Sequence, residues 1–305
     1  MSLLILRRIL WGVPVLWVVA TLTFLIMHWV PGGPFDQEKK LPPEILANIE
    51  AKYHLDQPFG TQYLLYMKNL IYGDLGPSYK YTGRSVNDII KDSFPVSLQL
   101  GLIALGFSIL AGLSSGILSA VFFNSWIDRA GMFFATIGIS FPSFVLAAFL
   151  IFIFSNVFHF FPPALWEGWR YTVLPGMALG AGPAAYLARL TRSSVLEVMK
   201  KEYVTTARAK GLGEFTILFK HILKNSMSPI VTILGPLTAA LVTGSFVIEF
   251  IFSVPGMGKF FVTAVTNRDY PLIMGVTLVY SLLIVLANLI VDLFYTYLDP
   301  RTRVD

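Results

Sequence analysis

An all-α integral membrane protein with six transmembrane helices is what this sequence predicts. Three observations carry the prediction. Hydrophobic residues fill 55% of the 305 positions and charged residues only 13%, about half the charged share of a soluble domain. The mean hydropathy is +0.67. Apolar runs of roughly 20 residues, the length that crosses about 30 Å of hydrocarbon as a helix, recur between shorter charged stretches.

The same inventory excludes several classes. There is no cysteine, so neither a disulfide framework nor a thiolate metal site is available. The four histidines, His28, His54, His159 and His221, are scattered without ligand spacing, and no metal site is expected. The net charge is +5 and the isoelectric point is 9.3. The positive charge sits in loops flanking apolar runs, where membrane topology accounts for it, so nucleic acid is not an expected partner.

The spans are placed near Ile9–Val30, Val96–Phe123, Gly131–Phe158, Val173–Leu190, Pro229–Ile251 and Leu272–Leu298. Arg7 and Arg8 precede the first run as in a signal peptide. That run exceeds the roughly 7–15 residues of a signal core and no small-residue cleavage site follows, so it reads as a retained span. The second and third spans are punctuated by Gly101, Gly106, Gly112, Ser115, Gly116, Ala135 and Gly138, small residues that let helices approach closely in lipid. Pro142, in Ser140-Phe141-Pro142-Ser143, marks a kink in the third. The fourth carries Pro175 and Pro183 and has the least definite limits.

Orientation follows from the short loops. The 191–228 loop holds Arg192, Lys200, Lys201, Arg208, Lys210, Lys220 and Lys224 against Glu197, Glu202 and Glu214. The N-terminus, the 124–130 turn and the tail with Arg301 and Arg303 share its side, whereas the 159–172 loop has only Arg170 and the 252–271 loop only Lys259 and Arg268. The positive-inside rule puts both termini and the 191–228 loop in the cytoplasm.

The external 31–95 segment reads as small and helical. Leu41-Pro42-Pro43-Glu44 places proline in a first helical turn, and Phe59, Tyr63, Met67, Leu70 and Ile71 recur at helical spacing. Gly73-Asp74-Leu75-Gly76-Pro77 is a turn cluster. Ser85-Val86-Asn87-Asp88 has the outline of a capping box with Asp in place of Glu. The surface serves either as a cap on the external helix ends or as a receiver for a delivery protein. The chain thus divides into 1–95, the first span with its external segment, and 96–305, a five-helix core holding the 191–228 loop.

Gly256-Met257-Gly258-Lys259 lacks phosphate-loop spacing, since Phe260 follows the lysine, and it lies on the external side. Glu249 at the outer end of the fifth span, and Asn288 and Asp292 in the sixth, are the candidate intramembrane or mouth polar groups. One coupling acid inside a span and no evident inverted repeat speak against an ion-driven secondary transporter. No pair of aspartates or His–Glu constellation marks a membrane-embedded enzyme.

Tyr203 to Pro229 is the informative stretch. Thr205-Thr206-Ala207, three residues and then Gly211 outline the E-A-A-x3-G signature of ATP-binding-cassette importer permeases. The likeness continues through Ala207-Arg208-Ala209-Lys210-Gly211-Leu212, then His221, Leu223, Asn225 and Pro229. It extends to Pro31-Gly32, Pro255-Gly256-Met257-Gly258, Arg268-Asp269-Tyr270-Pro271 and Asp299-Pro300-Arg301. On these residues the chain resembles the oligopeptide/dipeptide/nickel branch of those permeases. The external run Asn48-Ile49-Glu50-Ala51-Lys52-Tyr53-His54-Leu55 is similar to the oligopeptide permeases in particular. Thr205-Thr206 stand where the general signature has Glu-Ala, and Lys224 where it has proline.

The resemblance implies a type I importer permease fold and a transport subunit without its own ATP site. It implies a homologous second permease, two ABC ATPase subunits carrying ATP and magnesium, an external peptide-binding protein and the bacterial inner membrane. Tyr203, Thr205, Thr206, Ala207, Arg208, Lys210 and Gly211 would form the helix that docks on the ATPase. Oligopeptides are the implied cargo, with dipeptides, glutathione, nickel or a peptide antibiotic as alternatives.

Overall fold

The computed structural model describes residues 2–30, 35, 49 and 51–298, with only the helical backbone for 2–9 and 292–298. The helix expected to open at Leu41-Pro42-Pro43-Glu44 lies outside the described residues. The described chain is helical: α1 (Ser2–Trp29), α2 (Phe59–Ile71), α3 (Val86–Val121), α4 (Trp126–Ser140), α5 (Ser143–Val157), α6 (Trp169–Met199), α7 (Glu202–Ala209), α8 (Glu214–Val242), α9 (Phe246–Ile251), α10 (Met257–Asn267) and α11 (Tyr270–Leu298). Two stretches are wound as π-helix, Ile151–Val157 in α5 and Ile217–Leu223 in α8.

Among the described residues, Leu10–Trp29, Val86–Val121, Glu214–Val242 and Tyr270–Val291 are each long and apolar enough to cross a membrane. Three predicted spans differ from expectation. The third breaks at Pro142 into α4 and α5, which bend by 117° and pass the same test only as a pair. Proline cannot continue the ladder, and Phe141 takes an extended backbone (φ −90°, ψ 133°). The fifth ends at Val242, because Gly244 turns with φ +81° and α9 begins anew. The fourth is a 31-residue helix, α6, too polar to qualify by apolarity. Its buried residues include Leu174, Ala178, Ala184, Leu187 and Ala188. It packs against α4, α5 and α8, so protein rather than lipid surrounds much of it.

The chain forms two compact units. One gathers Met1–Val96 with Pro255–Leu286, the other Ser97–Val254 with Ala287–Asp305. In the first, the turn and cap expected before α3 are present. Ser85 Oγ accepts from Asp88 N at 3.1 Å while Asp88 Oδ2 accepts from Ser85 N at 3.2 Å, a reciprocal capping box. Asn87 closes the turn, accepting from Leu75 N and donating to Gly73 O. Asp269, fully buried at the start of α11, accepts from Ser78 Oγ and from Tyr79 N at 3.1 Å. Asp269 thus holds the turn before α3 to its own unit.

In the second unit, small residues set the helix spacing. A Cβ added at Gly112 or Gly116 would lie 2.7 Å from the Ala184 carbonyl or 2.6 Å from the Ala188 carbonyl. That backbone approach between α3 and α6 leaves no room for a side chain.

Candidate functional site

The sequence places its distinctive chemistry between α6 and α8. Helix α7 carries apolar residues three apart, Val204 and Ala207, and both are buried. They join Ala120 of α3, Val195 and Val198 of α6, and Ile217 and Ile222 of α8 in one core cluster. Ala207 therefore faces the chain's own core, and its small side chain lets α7 sit close there. The other face is outward: Tyr203, Thr205, Thr206, Arg208 and Lys210 are all exposed.

The end of α7 follows from Gly211. Leu212 N donates to Ala207 O at 3.3 Å and Gly211 N to Arg208 O at 2.9 Å. This is a Schellman cap, which needs a left-handed residue after the helix. Gly211 supplies it with φ +78°, a conformation that costs an L side chain about 1–2 kcal/mol. Gly213 then starts α8 with an ordinary φ of −64°.

Two side-chain links tie α7 to α8. Arg208 Nε donates to Glu214 Oε1 at 2.9 Å and its Nη2 to Oε2 at 3.3 Å. This guanidinium holds the Glu214 carboxyl below its ordinary value. Asn225 Nδ2 donates to the Tyr203 hydroxyl at 3.1 Å and to His221 O at 2.7 Å. Both links are exposed, so they fix geometry more than they add stability. Thr206 Oγ1 donates back to Glu202 O at 3.0 Å, and the rest of its surface is open.

A third link is buried. Asp128, 3% exposed near the start of α4, accepts from Arg192 Nε at 2.7 Å and Nη2 at 2.8 Å. Arg192 of α6 also lies over the Phe123 ring at 5.2 Å, and Asn124 N donates to Asp128 at 3.0 Å. The Arg192 hydrogen bonds draw the Asp128 carboxyl below its ordinary value. The fork pins the 124–128 turn to the helix that leads into α7. The pairing has no signal in the sequence, because 64 positions separate the partners and each reads as an ordinary loop charge. Phe215 and Phe219 belong to no motif, and their i, i+4 spacing in a charged loop is the one signal the sequence offers for them.

The remaining polar candidates lie apart from α7. Glu249 sits in α9 with no exposed surface, since the break after Val242 makes α9 a separate, inward-packed helix. Asn288 is exposed on α11. Asp292 lies in α11 with its side chain outside the described residues.

Residues 108–304 match the family described as "Binding-protein-dependent transport system inner membrane component". Residues 1–101 match the accompanying N-terminal family of such membrane components. The dipeptide transport system permease protein DppB of Bacillus subtilis is 46% identical over 94% of this chain and 93% of its own. The oligopeptide transport system permease protein OppB of Haemophilus influenzae is 42% identical over 98% of both chains. Among solved structures, an amino acid ABC transporter with histidines matches 68% of this chain and 93% of that one, at a TM-score of 0.54 and 16% identity. The inward-facing MetNI methionine ABC transporter matches 67% and 95%, at 0.51 and 19%. The fold is shared with both. The chain belongs to the family of binding-protein-dependent transport system inner membrane components.

Proposed function

We propose that this chain is a pore-forming subunit of an ATP-driven importer of oligopeptides, with α7 as the helix that docks on an ATPase. The carrying observation is a short helix with an outward polar face, fixed by a glycine cap on a core shared with α3, α6 and α8. A partner pushing on α7 would move three long helices through packed side chains rather than through a loose loop. Relatives named as oligopeptide and dipeptide permeases support the cargo.

In this reading the chain pairs with a homologous second permease, two ABC ATPase subunits and an external peptide-binding protein. ATP and magnesium are held by the ATPase subunits, and this chain binds no cofactor. The protein sits in the bacterial cytoplasmic membrane with both termini and the 191–228 loop inside. ATP-driven closure of the ATPases swings α7, and the helices reorient from inward-facing to outward-facing. Dipeptide, glutathione, nickel or a peptide antibiotic would be an alternative cargo for the same machine.

The test is uptake of a labelled pentapeptide into proteoliposomes holding the complete complex and its binding protein. Uptake that requires ATP and persists when ion gradients are dissipated is the expected result. Uptake driven by an ion gradient without ATP would overturn the reading.

A further inference from the structure

Beside α7 the chain exposes a pair of aromatic rings that the docking reading leaves unused. Phe215 is 76% exposed and Phe219 53%, and their rings meet at a tilt of 39° with centroids 4.4 Å apart. Leu212 extends the same apolar patch as an exposed neighbour in sequence. The alternate side of this turn is anchored, since Ile217 and Ile222 are buried in the core that holds Val204 and Ala207. With the Arg208–Glu214 and Tyr203–Asn225 links, α7 and the ring pair form one body.

Helix length says which solvent meets these rings. Glu214–Val242 has 29 residues, about 43 Å at about 1.5 Å each. Ile217–Leu223 is π-wound and rises less per residue, so the helix reaches somewhat less than that, still beyond about 30 Å of hydrocarbon. The surplus sets the first turns of α8, with Phe215 and then Phe219, at or beyond the level of the inner headgroups, within reach of a partner docked on α7. Charge points to the partner's chemistry. Arg208 and Lys201 are paired with Glu214 and Glu197, while Lys210, Lys220 and Lys224 are exposed in the same stretch of chain.

We infer that Phe215 and Phe219 are an aromatic anchor for the ATPase, inserting into an apolar cleft rimmed by acidic side chains beside the groove that takes α7. The inference rests on the docking reading. Paired aromatics in a desolvated pocket dominate interface energetics, whereas the lysine rim sets approach and salt dependence. The anchor explains why an otherwise polar cytoplasmic turn presents two phenylalanines to solvent.

The experiment measures ATPase affinity for the permease pair in nanodiscs, comparing the natural chain with F215S/F219S and with F215W. A parallel Thr206→Cys chain reports crosslinking of α7 to the ATPase. The double serine variant is expected to weaken ATPase binding at least about tenfold. F215W is expected to keep the affinity, and its added fluorescence to shift blue with ATPase and resist quenching by brominated lipid. Thr206→Cys crosslinking with unchanged affinity in F215S/F219S would overturn the anchor and leave docking intact. Quenching of the added fluorescence by brominated lipid would assign the rings to the membrane and overturn the anchor. Absence of crosslinking from Thr206→Cys would remove the docking reading and the anchor together.

Discussion

Replacing Gly211 with valine is expected to uncouple ATP hydrolysis from peptide uptake while leaving insertion intact. The effect arises in the backbone and not from crowding, because a Cβ at Gly211 meets nothing within 4 Å. A β-branched residue at φ +78° carries about 1–2 kcal/mol of strain. Applied to a docked state that needs this turn, that strain lowers its population about five- to thirtyfold. Relief would come from unwinding the cap, which would re-aim Arg208 and Thr206. Two controls separate this account from a general intolerance of the loop. Gly211→Asn is expected to keep much of the uptake, since asparagine enters left-handed backbone more readily than other side chains. Gly213→Ala is expected to be near neutral, because Gly213 has φ −64° and open space around it. The measurement is uptake and ATP hydrolysis in parallel on the same proteoliposomes. Equal uptake by Gly211→Val and the natural chain would contradict the role of the cap.

Arg192→Ala is expected to cost about 3 kcal/mol of stability, at the lower end for removing one member of a buried ion pair. The guanidinium lies partly exposed, with 25% of its side-chain surface open, while the Asp128 side chain has 5%. The loss therefore comes mainly from a carboxylate left buried without its fork. Arg192→Lys keeps the charge and loses the bidentate geometry, so an intermediate cost is expected. Adding Asp128→Ala to Arg192→Ala should recover part of the loss, because the stranded charge disappears with it. The pH dependence has a definite sign. Asp128 titrates lower in the folded chain than in the unfolded one, so its contribution is present above about pH 4 and fades as pH falls through the folded value. The gap between the natural chain and Arg192→Ala should be widest near neutrality and close on acidification. Thermal unfolding midpoints in detergent across that range provide the check.

Much of this architecture is legible in the sequence, and the exceptions have physical causes. Hydropathy finds α1, α3 and α11, because lipid demands apolar side chains over a fixed length. The Ser85–Asp88 box and the cap at Gly211 are local chemistry, readable from a few adjacent residues. Pro142 announces a kink, but the 117° turn depends on how α4 and α5 each pack on α6. Helix α6 is blurred for the opposite reason: alanine and glycine facing protein carry little of the apolar signal that lipid imposes. The Asp128–Arg192 fork and the burial of Glu249 are tertiary facts with no local signature. At the candidate site, the outward residues of α7 and the glycine are readable in advance. The inward turn of Ala207 and the exposed ring pair depend on the packing of α7 against α3, α6 and α8.

The most direct measurement of the central claim is site-specific crosslinking from α7 in the assembled complex. Thr206→Cys places a thiol on the outward face of α7, the proposed docking helix, where the natural hydroxyl donates to Glu202 O of the same helix. With a short bifunctional reagent it is predicted to join the ATPase subunit, and the yield is predicted to change when ATP is bound and when it is hydrolysed. A cysteine at Thr61, exposed near the start of α2, is predicted to give no such product. Failure of Thr206→Cys to reach the ATPase in a complex that still imports peptide would contradict the account.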